Sequence, residues 1–147
     1  MLESLLYPKT VAVIGASRTP GKVGHEIVAN LVRAGFKGEI VPINPSGEDV
    51  LGLKCYPDLK TYGRTIDLGI VSVPTKLVRA AVESSINANA KAITVITAGF
   101  KEIGPEGAAL EREIAALCRS NGVRMLGPNC LGLINTENAM NASFAKQ

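Results

Sequence analysis

The sequence predicts an α/β fold built around one parallel sheet, and two observations support this. Short runs rich in Val, Ile and Leu alternate with helix-like segments along the whole chain. Several of these runs are almost continuously apolar, which is typical of strands that helices cover on both faces. The composition agrees, because 46% of the residues are hydrophobic, only 4% are aromatic, and 15 are glycines that suit tight turns. At 147 residues the chain is expected to form a single domain.

Five strands are predicted from the apolar runs. They are Thr10–Ile14, Glu39–Ile43, Leu68–Val73, Ala92–Thr97 and Val123–Leu126. The segment after the second strand is too irregular for a full crossover helix, so we expect a short edge strand around Leu53–Cys55 and a short helix from Asp58. Strand–helix alternation implies parallel strands with right-handed crossovers, and therefore a doubly wound, Rossmann-like sheet of order 3-2-1-4-5.

Three longer helices are predicted between the strands. They are Gly24–Ala34, Lys76–Asn87 and Glu106–Ser120. Gly35 suits the left-handed conformation that often ends a helix. The Thr75 hydroxyl can cap the second helix, and Pro105 suits the first turn of the third. We expect this domain to span residues 1–134. Residues 135–147 have weak periodicity and several small or polar side chains, which predicts a linker or the start of a truncated following domain.

Composition excludes several classes of function. The net charge of +3 and the absence of a basic stripe argue against a nucleic-acid partner. The N-terminus lacks the features of a signal peptide, and no apolar run approaches the roughly 20 residues that span a bilayer, so no membrane partner is expected. Three widely spaced cysteines, Cys55, Cys118 and Cys130, argue against a disulfide framework or a zinc site and fit a cytoplasmic location.

The loop after the first strand, Gly15–Gly24, is the most informative segment. Gly15 can adopt a positive φ and turn the chain sharply, and the amides and helix N-terminus beyond it form an anion site. Hydroxyl groups and positive charge come from Ser17, Thr19, Arg18 and Lys22. The dinucleotide pattern G-x-G-x-x-G would require glycine at position 17, where this chain has Ser. The alternative is a structural turn with solvated basic residues.

Four further loops follow the other strands, and ligands of doubly wound sheets bind beyond these strand ends, here at the switch point between strands 1 and 4. Asn44 stands where an NAD-binding protein usually has an acid, which weakens the case for NAD; a plain turn explains it as well. Val73-Pro74 offers a stiff apolar wall, although Pro74 equally explains why the strand stops. Thr97-Ala98-Gly99 would let a ligand approach the backbone, and Gly127–Gly132 suggests a shaped turn with exposed amides.

No acid–base machinery is visible in the sequence. Cys130 could act as a nucleophile, but no second histidine accompanies it. The single histidine, His25, falls at the start of the first long helix, where a surface or packing role is expected. Paired carboxylates, a Ser-His-Asp set and a metal-ligand cluster are all missing. We therefore expect a ligand-binding domain with neither catalytic residues nor metal ligands.

The ordered loops resemble the CoA-binding domain of NDP-forming acyl-CoA ligases. The similarity is greatest to the ADP-forming acetate–CoA ligase group and more distant to the α subunit of succinate–CoA ligase. It covers Leu2–Phe144. The motifs are Gly15-Ala-Ser-Arg-Thr-Pro-Gly-Lys-Val-Gly24, Val41-Pro-Ile-Asn-Pro45, Val73-Pro74, Ile96-Thr-Ala-Gly99 and Gly127-Pro-Asn-Cys-Leu-Gly132.

The resemblance implies coenzyme A as the ligand. It implies a phosphate loop at Gly15, Ala16, Ser17, Arg18, Thr19, Lys22 and Val23. It also implies Asn44 and Pro45 near the adenosine, Val73 and Pro74 beside the nucleotide, Ile96, Thr97 and Ala98 along the pantetheine arm, and Asn129 and Cys130 near the site of acyl or phosphoryl transfer.

The implied function is to position CoA for thioester formation from an acyl phosphate. The implied partners are the remaining ligase domains or subunits, which carry the phosphohistidine and ATP-grasp parts. Because the family's phosphorylated histidine lies in the next domain, beyond Gln147, the chain alone is predicted to be inactive. The alternatives are a stand-alone CoA-binding protein and an NAD(P)-binding oxidoreductase or redox sensor, against which Ser17 and Asn44 both count.

Overall fold

The computed structural model describes residues 2–146. Met1 and Gln147, which the predicted ranges 1–134 and 135–147 include, lie outside the described residues. The elements in chain order are α1 (Glu3–Leu6), β1 (Thr10–Ile14), α2 (Val23–Ala34), β2 (Glu39–Ile43), α3 (Leu59–Tyr62), β3 (Leu68–Val71), α4 (Thr75–Asn87), β4 (Ala92–Val95), α5 (Pro105–Ser120), β5 (Arg124–Leu126), β6 (Gly132–Asn135) and β7 (Met140–Ser143). Short 3-10 turns precede α5 and separate β6 from β7.

The first five strands form one parallel sheet in the order β2-β1-β3-β4-β5, with apolar clusters on both faces. Ile14 at the end of β1 pairs with Ile43 on one side and Val71 on the other, so the strands end at a common carboxyl edge. The doubly wound, Rossmann-like fold class is therefore confirmed.

The strand order needs one correction. The third strand lies beside β1, on the side opposite β2, whereas the predicted order 3-2-1-4-5 placed it beyond β2. The chain that follows β2 already occupies that outer edge, because the Tyr56 amide donates to Pro42 at 3.1 Å and the Asn44 amide donates to Tyr56 at 3.0 Å. The edge strand predicted around Leu53–Cys55 is reduced to isolated bridges at Leu53 and Tyr56. The switch point thus lies between β1 and β3.

Helix ends follow the sequence signals with one exception. Gly35 ends α2 in the left-handed conformation, and Pro105 begins α5. Asp58 caps the short helix α3 by accepting a hydrogen bond from the Thr61 amide at 2.6 Å. Thr75 does not cap α4; its hydroxyl donates instead to the Ala98 carbonyl at 2.8 Å and connects the first residue of α4 to the loop after β4.

Residues after position 134 differ from the predicted linker. β6 and β7 form an antiparallel hairpin, and all four residues of β7 are buried, with α2 packed against them. Asn30 of α2 holds the hairpin, since its amide donates to the carbonyls of Ser143 at 2.9 Å and Ala145 at 3.1 Å. The hairpin therefore packs as part of the sheet domain.

Among residues 2–146, none of the helices combines the length and the apolar character that a bilayer crossing requires.

Asn30→Ala should lower the free energy of unfolding by about 1–3 kcal/mol, because it leaves two carbonyls without a donor in a buried setting. Urea denaturation of the 147-residue chain measures this change. Asn87→Ala, at the exposed end of α4, serves as the control and should change stability little. Equal stabilities of the two variants would contradict the role given to Asn30.

Candidate ligand cleft at the carboxyl edge of the sheet

A cleft of about 680 Å³ opens at the switch point, beyond the ends of β1, β3 and β4. Most of the predicted site residues line it. They are Gly15, Ser17, Lys22, Val23, Val73, Pro74, Ile96, Thr97, Ala98, Asn129 and Cys130. Residues from four separate loops are thereby brought together, as expected for a ligand site in an open α/β sheet.

Two glycines allow neighbouring backbone segments to pack closely against each other beneath the cleft. Gly15 has φ +98°, and a Cβ added there would lie 2.2 Å from the Ser72 carbonyl oxygen. A Cβ on Gly24 would lie 1.9 Å from the Gly15 carbonyl oxygen. Larger residues cannot occupy either position without moving the backbone. The first turn of α2 is consequently held against the turn that follows β1.

This arrangement leaves several amides free to bind a ligand. Val23 and Gly24 are the first residues of α2, where backbone N–H groups have no partner within the helix. Within residues 2–146, the amides of Ser17 and Arg18 also have no acceptor. Free amides at a helix N-terminus attract anions, because the helix dipole adds to the hydrogen bonds. The β1 side of the cleft is therefore suited to phosphate.

The β3 and β4 side is more apolar. Both strands end earlier than predicted, at Val71 and Val95, so that Val73 and Ile96 belong to the cleft-lining loops. The Thr97 hydroxyl donates to the Val73 carbonyl at 2.6 Å and joins these two loops. Such a wall suits a neutral, flexible ligand chain.

Glu102 stabilises the loop after β4. Its carboxylate accepts hydrogen bonds from the amides of Gly99 and Phe100, both at 2.8 Å. Hydrogen bonds from backbone amides, first of all that of Gly99, lower the pKa of the Glu102 carboxyl. The loop therefore retains this support down to the depressed folded-state pKa and loses it as the pH falls through that value.

Five predicted residues lie outside the cleft lining. Ala16 is buried, while Arg18, Thr19 and Pro45 are exposed. The Arg18 guanidinium pairs with the Glu48 carboxylate, which links the loops after β1 and β2. The Asn44 side chain is engaged within the protein, since its Nδ2 donates to Ala16 at 2.7 Å and its Oδ1 accepts from the Ser46 amide at 2.9 Å.

The cleft also contains residues that sequence reasoning missed. They are Gly24, Ser72, Leu131 and Phe144. Ser72 precedes Val73 in the loop after β3, and Leu131 lies in the loop Gly127–Gly132, but neither was predicted as a site residue. Phe144 follows the unexpected hairpin. Gly24 had a visible signal, because a second glycine at the start of a helix suggests close backbone packing.

Cys130 faces the cleft but is poorly suited to nucleophilic attack at neutral pH. Its Sγ lies 3.4 Å from the Val95 carbonyl oxygen. Burial raises the pKa of the Cys130 thiol, and a backbone hydrogen bond from Gly132 opposes that rise only in part. Burial on the inner face of α5 raises the pKa of the Cys118 thiol to about 11. Residues 2–146 assemble no group of three or more His, Cys, Asp or Glu side chains that could hold a metal ion.

A cleft at the switch point defines the chain as a doubly wound α/β domain with a ligand site of the kind that many nucleotide-binding domains use. Within this class, the family described as CoA binding domain matches residues 9–136. The chain belongs to this family, and CoA is the ligand of the domain.

Named relatives agree with this assignment. The ADP-forming acetate–CoA ligase I of Archaeoglobus fulgidus is 49% identical over 145 residues, covering 99% of this chain and 21% of the relative. The α subunit of the ADP-forming acetate–CoA ligase II of Pyrococcus furiosus is 38% identical, covering 98% of this chain and 31% of that subunit.

A solved structure has the same fold throughout the chain. It is the dinucleotide-forming acetyl-coenzyme A synthetase 1 of Candidatus Korarchaeum cryptofilum in complex with phosphate and ADP. The TM-score is 0.94 at 40% identity, with 99% of this chain and 31% of that chain covered. The chain thus spans 21–31% of the length of these three relatives.

Alkylation by iodoacetamide should reach Cys130 before the buried Cys55 and Cys118. Because the pKa of the Cys130 thiol is raised, the thiolate forms only as the pH climbs above the ordinary cysteine range, and the rate should rise there. Mass spectrometry of the native chain across a pH series measures the rate, with Cys130→Ser as the control. A half-maximal rate at or below the pH found for free cysteine would contradict the assigned environment.

Proposed function

We propose that this chain is the CoA-binding domain of an ADP-forming acyl-CoA ligase of the acetate type. Its task is to hold CoA while the thiol attacks an acyl phosphate. The observation that supports this most is the convergence of the predicted loops on one cleft, with free amides on one side and an apolar wall on the other. These two halves match the two halves of CoA, a charged nucleotide and a mostly neutral pantetheine arm.

The pyrophosphate of CoA lies, in this proposal, at the loop Gly15–Gly24. The amides of Ser17 and Gly24 and the ammonium group of Lys22 supply hydrogen bonds and positive charge there. Hydrogen bonds to charged groups contribute about 1.5–3 kcal/mol each, so a few of them suffice to anchor the nucleotide. Arg18 and Thr19 stand at the rim, and Asn44 and Pro45 lie toward the adenosine.

The pantetheine arm then runs along the apolar side, past Val73, Pro74 and Ile96 toward Asn129 and Cys130. In the transfer step, the CoA sulfur forms a bond to the acyl carbon, the bond from that carbon to phosphate oxygen breaks, and the phosphate leaves with the proton of the thiol. The described residues around the thiol end offer no acid–base pair. Activation of the acid is therefore assigned to other parts of the enzyme.

We infer that those parts are the phosphohistidine and ATP-grasp domains or subunits. The lengths of the relatives support this, because the chain spans only 21% of the Archaeoglobus ligase and 31% of the Pyrococcus α subunit. A cytoplasmic location, expected from the cysteine usage, belongs to the same proposal.

Isothermal titration of the 147-residue chain with CoA, dephospho-CoA, NAD and NADP tests the ligand site. CoA should bind most tightly, and iodoacetamide should modify Cys130 more slowly in its presence. Tighter binding of NAD than of CoA would refute the proposed placement of the nucleotide.

Arg18→Ala should weaken CoA binding by at most about fivefold, as expected for an exposed ion pair worth up to about 1 kcal/mol. The effect should shrink as salt screens the charge. Arg112→Ala, an exposed arginine of α5 outside the cleft lining, is the matched control and should leave affinity unchanged. If the two variants bind alike, Arg18 does not contact the ligand.

A further inference from the structure

Two side chains outside the cleft lining hold carbonyl groups of the loop Gly15–Gly24. His25, in the first turn of α2, is only 8% exposed, and its Nδ1 lies 2.9 Å from the Ser17 carbonyl oxygen. Asn44, at the end of β2, donates from Nδ2 to the Ala16 carbonyl at 2.7 Å. Two successive carbonyls of the loop are therefore bound on the protein side.

The donor atoms of both contacts follow from chemistry. A carbonyl oxygen can only accept a hydrogen bond, so Nδ1 of His25 must carry its proton here. The orientation of the Asn44 amide is set by its second contact, in which Oδ1 accepts from the Ser46 amide at 2.9 Å. Exchanging the oxygen and nitrogen of Asn44 would place oxygen against oxygen at Ala16 and a donor against a donor at Ser46.

Because the peptide unit is planar, these two contacts also set the direction in which the Ser17 and Arg18 amides point. In a trans peptide the C=O and N–H groups point in opposite directions. Because the Ala16 and Ser17 carbonyls point to Asn44 and His25, the amides of Ser17 and Arg18 point away from those two side chains. Within residues 2–146 neither amide meets an acceptor. Carbonyls turned the other way would repel an anion at the same place.

We propose that His25 and Asn44 are positioning residues for the pyrophosphate of the ligand. His25 orients the Ser17–Arg18 peptide, and Asn44 orients the Ala16–Ser17 peptide, so that both amides are presented to phosphate. The inference rests on the proposed function, because it takes this loop to be the pyrophosphate site. In this role His25, the single histidine of the chain, does not contact the ligand and affects binding only through the backbone that it orients.

Three variants separate this role from general support of the fold. His25→Leu removes the donor and keeps the bulk, whereas His25→Asn keeps a donor close to the position of Nδ1. Asn44→Asp keeps the acceptor for Ser46 and puts an oxygen in place of the donor. Thermal unfolding establishes that each variant is folded before its affinity is compared.

Calorimetry with CoA provides the first readout. His25→Leu and Asn44→Asp should each weaken CoA binding by about three- to tenfold, the size of one lost hydrogen bond, and His25→Asn should recover most of the loss. Unchanged affinity in both His25→Leu and Asn44→Asp would overturn the inference, as would equal losses in His25→Leu and His25→Asn. Failure of the unmodified chain to bind CoA would instead count against the proposed function.

The NMR signals of the backbone amides provide a second readout. A merely structural role of the two side chains would not affect the Ser17 and Arg18 signals selectively. On addition of CoA, the Ser17 and Arg18 amide signals of the unmodified chain should both shift. His25→Leu should reduce mainly the Arg18 shift, and Asn44→Asp mainly the Ser17 shift. If both signals respond equally in the two variants, the assignment of one side chain to each peptide is wrong.

Discussion

The ligand cleft depends on the close approach of three backbone segments at the end of β1. A Cβ on Gly24 would lie 1.9 Å from the Gly15 oxygen, and one on Gly15 would lie 2.2 Å from the Ser72 oxygen. Only residues without a side chain allow helix α2 to start so close to the sheet. The helix N-terminus is thereby held directly beyond the strand ends, where its free amides can meet an anion.

Around this junction, side chains mainly organise backbone groups. Thr75 and Thr97 bind carbonyls of neighbouring loops, and Glu102 binds two amides of the loop after β4. His25 and Asn44 do the same for the loop after β1. A site built in this way binds a ligand through shape and backbone polarity. Such a site is the kind that the proposed function requires, in which this domain holds CoA and other parts of the enzyme activate the acid.

The sequence was sufficient for the fold class and for most of the cleft, because apolar runs separated by glycine loops specify strands and the turns at their ends. It was insufficient where pairing is decided by tertiary structure. Tyr56 occupies the outer edge of β2 through backbone hydrogen bonds, so β3 pairs with β1 instead. Backbone hydrogen bonds of this kind cannot be predicted from the pattern of residue types.

Buried polar residues have partners in two places that the residue pattern does not show. Asn141 and Ser143 of β7 look like linker residues, yet they are buried and satisfy each other through a hydrogen bond of 2.6 Å. His25, for which the sequence predicts a surface or packing role, is buried with its Nδ1 2.9 Å from the Ser17 carbonyl oxygen, a partner that belongs to the backbone. A pattern of side-chain types does not reveal such partners.

A crystal structure of the chain with CoA bound is the most direct test of this account. The pyrophosphate should lie within hydrogen-bonding distance of the Ser17 and Gly24 amides, with the pantetheine arm against Val73 and Ile96. A nucleotide bound elsewhere, for example in the cavity between α5 and β5 near Arg119 and Arg124, would contradict it.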